Sequence, residues 1–478
     1  MRKYAKTGVV LSLALLGAAC DDFLQGKGLT ENPNQATQGT ALQQLIAVQA
    51  NMFTRMEGQL ARSATIYTQQ IIGSNNQQLQ WATQYGQSES DIPAFMSAFY
   101  TGAGLVGLRN VQAYGEANDP LILGIAKVWE GFAFGTATSI WGDLPYSEAL
   151  NPDILTPKLD PQETIYQQVQ LRLDEGIAAL GGAPTTGNCE PADLIYCASP
   201  GTRANQVGRW IRAANTLKAR YYLHLVERQG NAAYTLALAA AEKGINEVPA
   251  NAADAHHGRG PGDFRTFHGS TVDQDANILA EFLNQRQDLV AGHRLVQLLK
   301  DRNDPRLAAY FTPNPQGGFV GHDQNNLPVG AGAAAVINTT IRRAFNFRQP
   351  FVTWSENELI KAEAKFKLTG AAAALPHVNA VRVANGLPAL ASVTFEDVMI
   401  EKYIAMYQNP DVWSDYKRTC LPVLTPFGTA TEVPGRLPYS STERTANPNI
   451  PLPSAFPAGT TAVSQLRNWN DPNACPRP

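Results

Sequence analysis

Apolar residues recur at helical spacing along most of the chain. Leu42, Leu45, Ile46, Val48 and Phe53 mark one stripe between Ala41 and Leu60, and Phe95–Gly115 and Ala126–Trp141 are denser apolar segments. Asp160-Pro161-Gln162-Glu163 predicts a helix start, with Asp160 as N-cap, Pro161 in the first position and Glu163 reaching back. Ile165, Val169, Leu173, Ile177 and Leu180 continue that helix to a stop at Gly181-Gly182. Further helices are predicted at Val207–Arg228, Asn231–Glu247 and Asn277–Lys300. Ser355 and Glu358 read as the capping box of a helix to Gly370, paired with Ala371–Asn385, and Thr394 with Asp397 opens a last one running to Pro410.

Each of these stripes is too narrow to bury its own face. The chain is therefore expected to be mostly α, a scaffold of stacked helical hairpins resembling tetratricopeptide units and joined by long irregular loops. One joint stands out: Trp141-Gly142-Asp143-Leu144-Pro145-Tyr146-Ser147-Glu148 ends an apolar helix in a turn that aims two aromatic rings, toward a neighbouring helix or toward a ligand. Gly102-x-Gly104-x-x-Gly107 matches a dinucleotide fingerprint in letters, but no β-branched strand precedes it and no acidic strand end follows. Its small residues are read as a close helix approach.

The irregular stretches carry the candidate chemistry. Residues 73–90 concentrate amides around two aromatics, and Asn75, Gln77, Trp81 and Tyr85 are the candidate ligand-binding residues there. Amides donate and accept at once, and an aromatic face suits the C–H face of a pyranose. The stretches 249–275 and 313–350 are expected as further ligand-facing loops, with 421–478 as an irregular coat. His256 and His257 are adjacent, no H-E-x-x-H or EF-hand spacing occurs, and neither a metal nor a cofactor is expected.

Composition narrows the function classes. With 17% charged residues and a net charge of -3, the chain has no basic footprint for nucleic acid. Arg2, Lys3 and Lys6 precede an uncharged apolar run, Gly8–Ala19, too short to span a bilayer, so residues 1–19 read as an export signal. The run ends Leu16-Gly17-Ala18-Ala19-Cys20, which resembles the lipobox of bacterial lipoproteins, with Leu16 one position further from the cysteine than usual. That resemblance implies lipidation at Cys20 and a tether over residues 20–40. Four cysteines remain, an even number for an oxidising compartment. Three pairings are formally open; Cys189 with Cys197 suits a closed surface loop, and Cys420 with Cys475 would tie down the Pro-rich tail.

These pieces together resemble the SusD/RagB family of outer-membrane nutrient-binding lipoproteins. The resemblance rests on Cys20-Asp21-Asp22-Phe23-Leu24 with Asn32-Pro33-Asn34, on Trp141–Leu150, on Pro157–Glu163, and on Trp210-Ile211-Arg212-Ala213-Ala214-Asn215. It continues through Asp304-Pro305-Arg306-Leu307, Ala362-Glu363-Ala364, Val378–Arg382 and Glu401-Lys402-Tyr403, to Val412–Arg418. It implies one SusD-like helical domain over 41–478, anchored by its lipid at the outer-membrane surface. It further implies a non-catalytic protein that captures a nutrient, usually an oligosaccharide, and passes it to a TonB-dependent, SusC-like barrel. The Trp141–Glu148 turn then becomes a scaffold joint. A secreted glycoside hydrolase and a binder of peptides or another non-glycan nutrient are the competing readings.

Overall fold

The first stripe forms helix α1 (Ala41–Arg55), opened by a capping box between Thr40 and Gln43. A π-turn at Met56–Leu60 bends it into α2 (Ala61–Tyr67). The computed structural model describes residues 39–92, 94–269, 275–327, 330, 332–451 and 467–475. The leader at 1–19, Cys20 and nearly all of the tether lie outside the described residues.

The amide-rich stretch contains strand β1 (Ile71–Gly73) and then a helix, α3 (Asn76–Gln84). The apolar segment beginning at Phe95 is not helical at its start: α4 spans Leu105–Asn118, and Phe95 to Tyr100 form short turns. Gly107 sits where α4 meets α1, and a Cβ there would lie 3.0 Å from Val48, so the glycine-spaced motif serves helix packing. Helix α5 (Pro120–Trp141) starts earlier than its apolar run suggests, because the Asp119 carboxylate accepts from Leu121 N at 2.9 Å. Nearly every α5 residue is buried, as a helix apolar on all sides requires.

The array continues with α6 (Gln162–Gly181), α7 (Arg203–Leu223) and α8 (Asn231–Ala241). Strand β2 (Phe264–Arg265) follows. The single helix expected over Asn277–Lys300 is interrupted, giving α9 (Ile278–Gln285), strand β3 (Leu289–Ala291) and α10 (His293–Asp301). Strands β4 (Phe311–Thr312), β5 (Val336–Ile337) and β6 (Pro350–Val352) precede α11 (Trp354–Leu368), α12 (Ala371–Ala384), α13 (Phe395–Ala405) and α14 (Val412–Thr419). β1 pairs antiparallel with β3, β2 with β6, and β4 with β5. The fold is thus mostly helical, and the strands among the described residues form two-stranded ribbons.

Successive helices pack on one another, α4 on α5, α5 on α6, α6 on α7, α7 on α8, α8 on α11 and α11 on α12. One hydrophobic cluster runs through this array from Leu45 to Cys475. Buried ion pairs lock the far end: Arg220 of α7 meets Glu356 of α11 at 2.6 Å, and Lys402 of α13 meets Asp415 of α14 at 2.9 Å. Burial opposes ionisation of Asp411, but the charges of His224 and Arg220 hold its carboxyl well below the usual range. Removing either partner of such a pair leaves a buried charge, which costs about 3–5 kcal/mol. Disulfides join Cys189 to Cys197 and Cys420 to Cys475. Among the described residues, no helix is long and apolar enough to cross a membrane.

Candidate functional site

The β1–β3 ribbon separates two neighbouring clefts. Ile72 and Val290 are cross-strand partners, so their side chains share one face of the ribbon. Ile72 lines a cleft of about 220 Å³ and Val290 a neighbouring cleft of about 550 Å³. The two clefts therefore lie beside each other across this residue pair, and together they are called the groove below.

Backbone hydrogen bonds fix the groove rim. Gly292 N donates to Gln70 O at 3.1 Å, His322 N to Ala291 O at 2.9 Å, and His293 N to His322 O at 2.8 Å. A Cβ on Gly292 would lie 2.1 Å from Gln69 O, so only glycine permits this approach. Gln69 Nε2 donates to Thr425 O at 2.6 Å and Gln324 Nε2 to Pro426 O at 3.0 Å, pinning the segment 423–427 as the far wall. Asp323 accepts from Asn325 N at 2.8 Å and holds a tight turn. The Asn326 side-chain oxygen, 3.1 Å from His322 Nδ1, places the proton on that nitrogen.

These contacts occupy the rim and leave other groups free. Among the described residues, the side chains of Gln287, His293, Arg294 and Asn325 have no hydrogen-bonded protein partner, and all four line the groove. Val423 is 59% exposed beside them. Val336, Pro313 and Pro315 add apolar wall in the larger cleft. Convergent donors and acceptors over apolar patches are what a hydroxylated ligand requires. His, Cys, Asp and Glu side chains form no group able to hold a metal among the described residues.

The four residues singled out in the amide-rich stretch separate. Asn75 is exposed and lines the larger cleft. Gln77 is exposed but lines neither cleft, and its Nε2 donates to Asp91 at 2.7 Å. Trp81 and Tyr85 are 0% and 1% exposed and offer no face to a ligand. Helix formation over Asn76–Gln84 turns both rings inward. Tyr85 stacks on Phe427 with centroids 4.7 Å apart and meets the edge of Tyr67. Tyr85 thus supports a wall residue of the groove rather than lining it.

The polar groups of the Trp141–Glu148 turn bond mainly within the chain. Asp160 does not cap its own helix as expected. Its carboxylate instead accepts from Tyr146 N at 2.9 Å, Ser147 N at 2.6 Å and Ser147 Oγ at 2.7 Å. Asp143 takes the vacated role and accepts from Gln162 N at 2.8 Å. Tyr146 donates to buried Glu130 at 2.5 Å, and Trp141 Nε1 donates to Pro438 O at 3.0 Å. These polar groups are thus committed to the scaffold, while Pro145 borders a separate cleft of about 350 Å³ with Ala149, Leu150 and Leu155.

A family model described as SusD-like, starch-binding and associating with the outer membrane matches residues 32–440. Among solved structures, the chain is similar to a SusD/RagB family protein from Bacteroides thetaiotaomicron VPI-5482, at 20% identity and a TM-score of 0.72, covering 91% of this chain and 99% of that one. It is also similar to a chitin-binding SusD homologue from Flavobacterium johnsoniae, at 16% identity and a TM-score of 0.70, covering 90% and 99%. A SusD homologue from Bacteroides uniformis matches at 18% identity and a TM-score of 0.68, covering 91% and 100%. At these identities the structural likeness establishes the fold. No curated protein matches in sequence.

Proposed function

Because this chain belongs to the SusD-like family, we propose that it is a glycan-binding lipoprotein of the outer-membrane surface that captures an oligosaccharide without cleaving it. The observation carrying this reading is the groove across Ile72 and Val290, where Gln287, His293, Arg294, Asn325 and Asn75 converge beside apolar wall residues. Amide and imidazole groups exchange hydrogen bonds with hydroxyls, and two neighbouring clefts suit a ligand of more than one sugar. The chitin-binding relative and the family's starch-binding description support a glycan as ligand.

The same reading assigns lipidation to Cys20 and delivery of the ligand to a TonB-dependent, SusC-like barrel. Calorimetry with malto- and chito-oligosaccharides, alongside a peptide panel, tests the ligand class. Saturable binding to a glycan supports the proposal, whereas binding only to peptides transfers the groove to another nutrient. Release of reducing ends by the purified protein contradicts the non-catalytic role. Affinity purification from native outer membranes tests the partner, and recovery without any barrel contradicts delivery.

A further inference from the structure

A second cleft, of about 240 Å³, shares no lining residue with the groove. It opens beside the loop closed by Cys189–Cys197 and the start of α7, and three arginines line it: Arg209, Arg265 and Arg348. Arg209 is paired with Glu247 at 3.0 Å. Among the described residues, no carboxylate forms an ion pair with either of the other two.

Arg265 on β2 is opposite Pro350 on β6, and Arg348, two residues before Pro350, lines the same cleft. Arg265 makes no ion pair among the described residues, and its Nε is buried without a hydrogen-bond acceptor. Arg348 donates only to carbonyls, Nε to Thr266 O at 2.6 Å and Nη2 to Ile195 O at 3.2 Å. Burial and the neighbouring Arg265 lower its pKa to about 10.

Among the described residues, Asp263 is the one acidic residue lining this cleft. Its two oxygens are taken by backbone donors, Gly260 N and Trp354 N, each at 2.7 Å. Burial pushes its carboxyl up to about 7, against the lowering effect of the Arg265 charge and these backbone hydrogen bonds. The N-terminal turn of α7, with Thr202 and Asn205 on the lining, adds its positive end to the same space. Two like charges held together in a partly buried cleft are costly unless an anion joins them.

We propose that this cleft binds a small oxyanion, with Arg265 and Arg348 as its ligands and the Ser199 and Thr202 hydroxyls beside them. The anion is either a free inorganic ion or the sulfate or carboxylate substituent of a sugar. This site is separate from the groove and stands whether or not the groove binds a neutral glycan.

Thermal melts and calorimetry of the purified protein at constant ionic strength, exchanging chloride for sulfate or for glucuronate, test it, with glucose as the neutral control. Wild type is expected to be stabilised saturably by at least one anion and not by glucose. Preference for sulfate identifies a tetrahedral oxyanion, and preference for glucuronate identifies a sugar carboxylate. Arg265→Gln and Arg348→Gln are each expected to weaken that binding about tenfold or more. In chloride alone, Arg265→Gln should melt no lower than wild type, because it relieves repulsion; this separates loss of a ligand from loss of folding. Failure of both anions to stabilise wild type beyond chloride overturns the proposal. Undiminished anion affinity in both variants overturns it equally.

Discussion

The Trp141–Glu148 turn and the groove are built from similar residues and differ in how those residues are used. In the turn, Asp160 accepts three hydrogen bonds, Asp143 caps α6, and Tyr146 is bound to Glu130. In the groove, the rim backbone is pinned, while Gln287, His293, Arg294 and Asn325 have no protein partner among the described residues. The turn stores its polar groups in the scaffold, and the groove keeps its own for something else. A recognisable motif therefore marks where the chain must fold one way, and the proposed ligand-facing surface falls where the chain has no motif.

The comparison can be broken at several points. Replacing both Cys420 and Cys475 with Ser opens a link of sequence separation 55 immediately before the groove wall, and should cost about 4 kcal/mol in denaturant titrations. Asp160→Ala strands the Tyr146 and Ser147 donors and should cost about 3 kcal/mol, with glycan affinity of the folded protein unchanged. Lost affinity at wild-type stability would instead place the turn in the site. Arg294→Ala with Asn325→Ala should invert that pattern, lowering oligosaccharide affinity about tenfold while stability stays within about 0.5 kcal/mol.

The smallest effect lies outside both regions. Burial lowers the pKa of His268, but its hydrogen bond to Glu57 at 2.9 Å and the Glu57 and Asp275 charges outweigh this and leave it raised. A raised folded-state value contributes stability that is present below the ordinary histidine pKa and lost as pH rises through the folded value. Wild type should therefore lose its margin over His268→Gln on going from mildly acidic to alkaline pH. Melting curves of the two proteins across that range check it, with an expected change of about 1 °C.

Much of the scaffold is legible in the sequence because helices with one buried stripe announce their period. The α13 cap at Thr394 and Asp397 forms as local spacing predicts, with Asp397 N donating to Thr394 Oγ1 at 3.1 Å. Elsewhere tertiary competition wins over spacing. Thr353 caps α11 in place of Ser355, while Glu358 turns to Lys361 and His377. Asp160 is drawn from its own helix to two backbone donors in the preceding turn.

The candidate site is less legible in the sequence. Trp81 and Tyr85 have the composition of a sugar platform, but helical phase buries them, and one-dimensional composition does not specify phase. Arg294 and Asn325 are far apart in sequence and meet only because the 322–325 turn bonds to the start of α10. The position of stretch 313–350 relative to β3 has no local signal at all.

Hydrogen–deuterium exchange with a saturating malto- or chito-oligosaccharide tests the central assignment most directly. Protection is expected in 69–75, 292–294, 313–327 and 423–427, with the 141–150 turn unchanged. Protection centred on 141–150, with none in the groove segments, would contradict it.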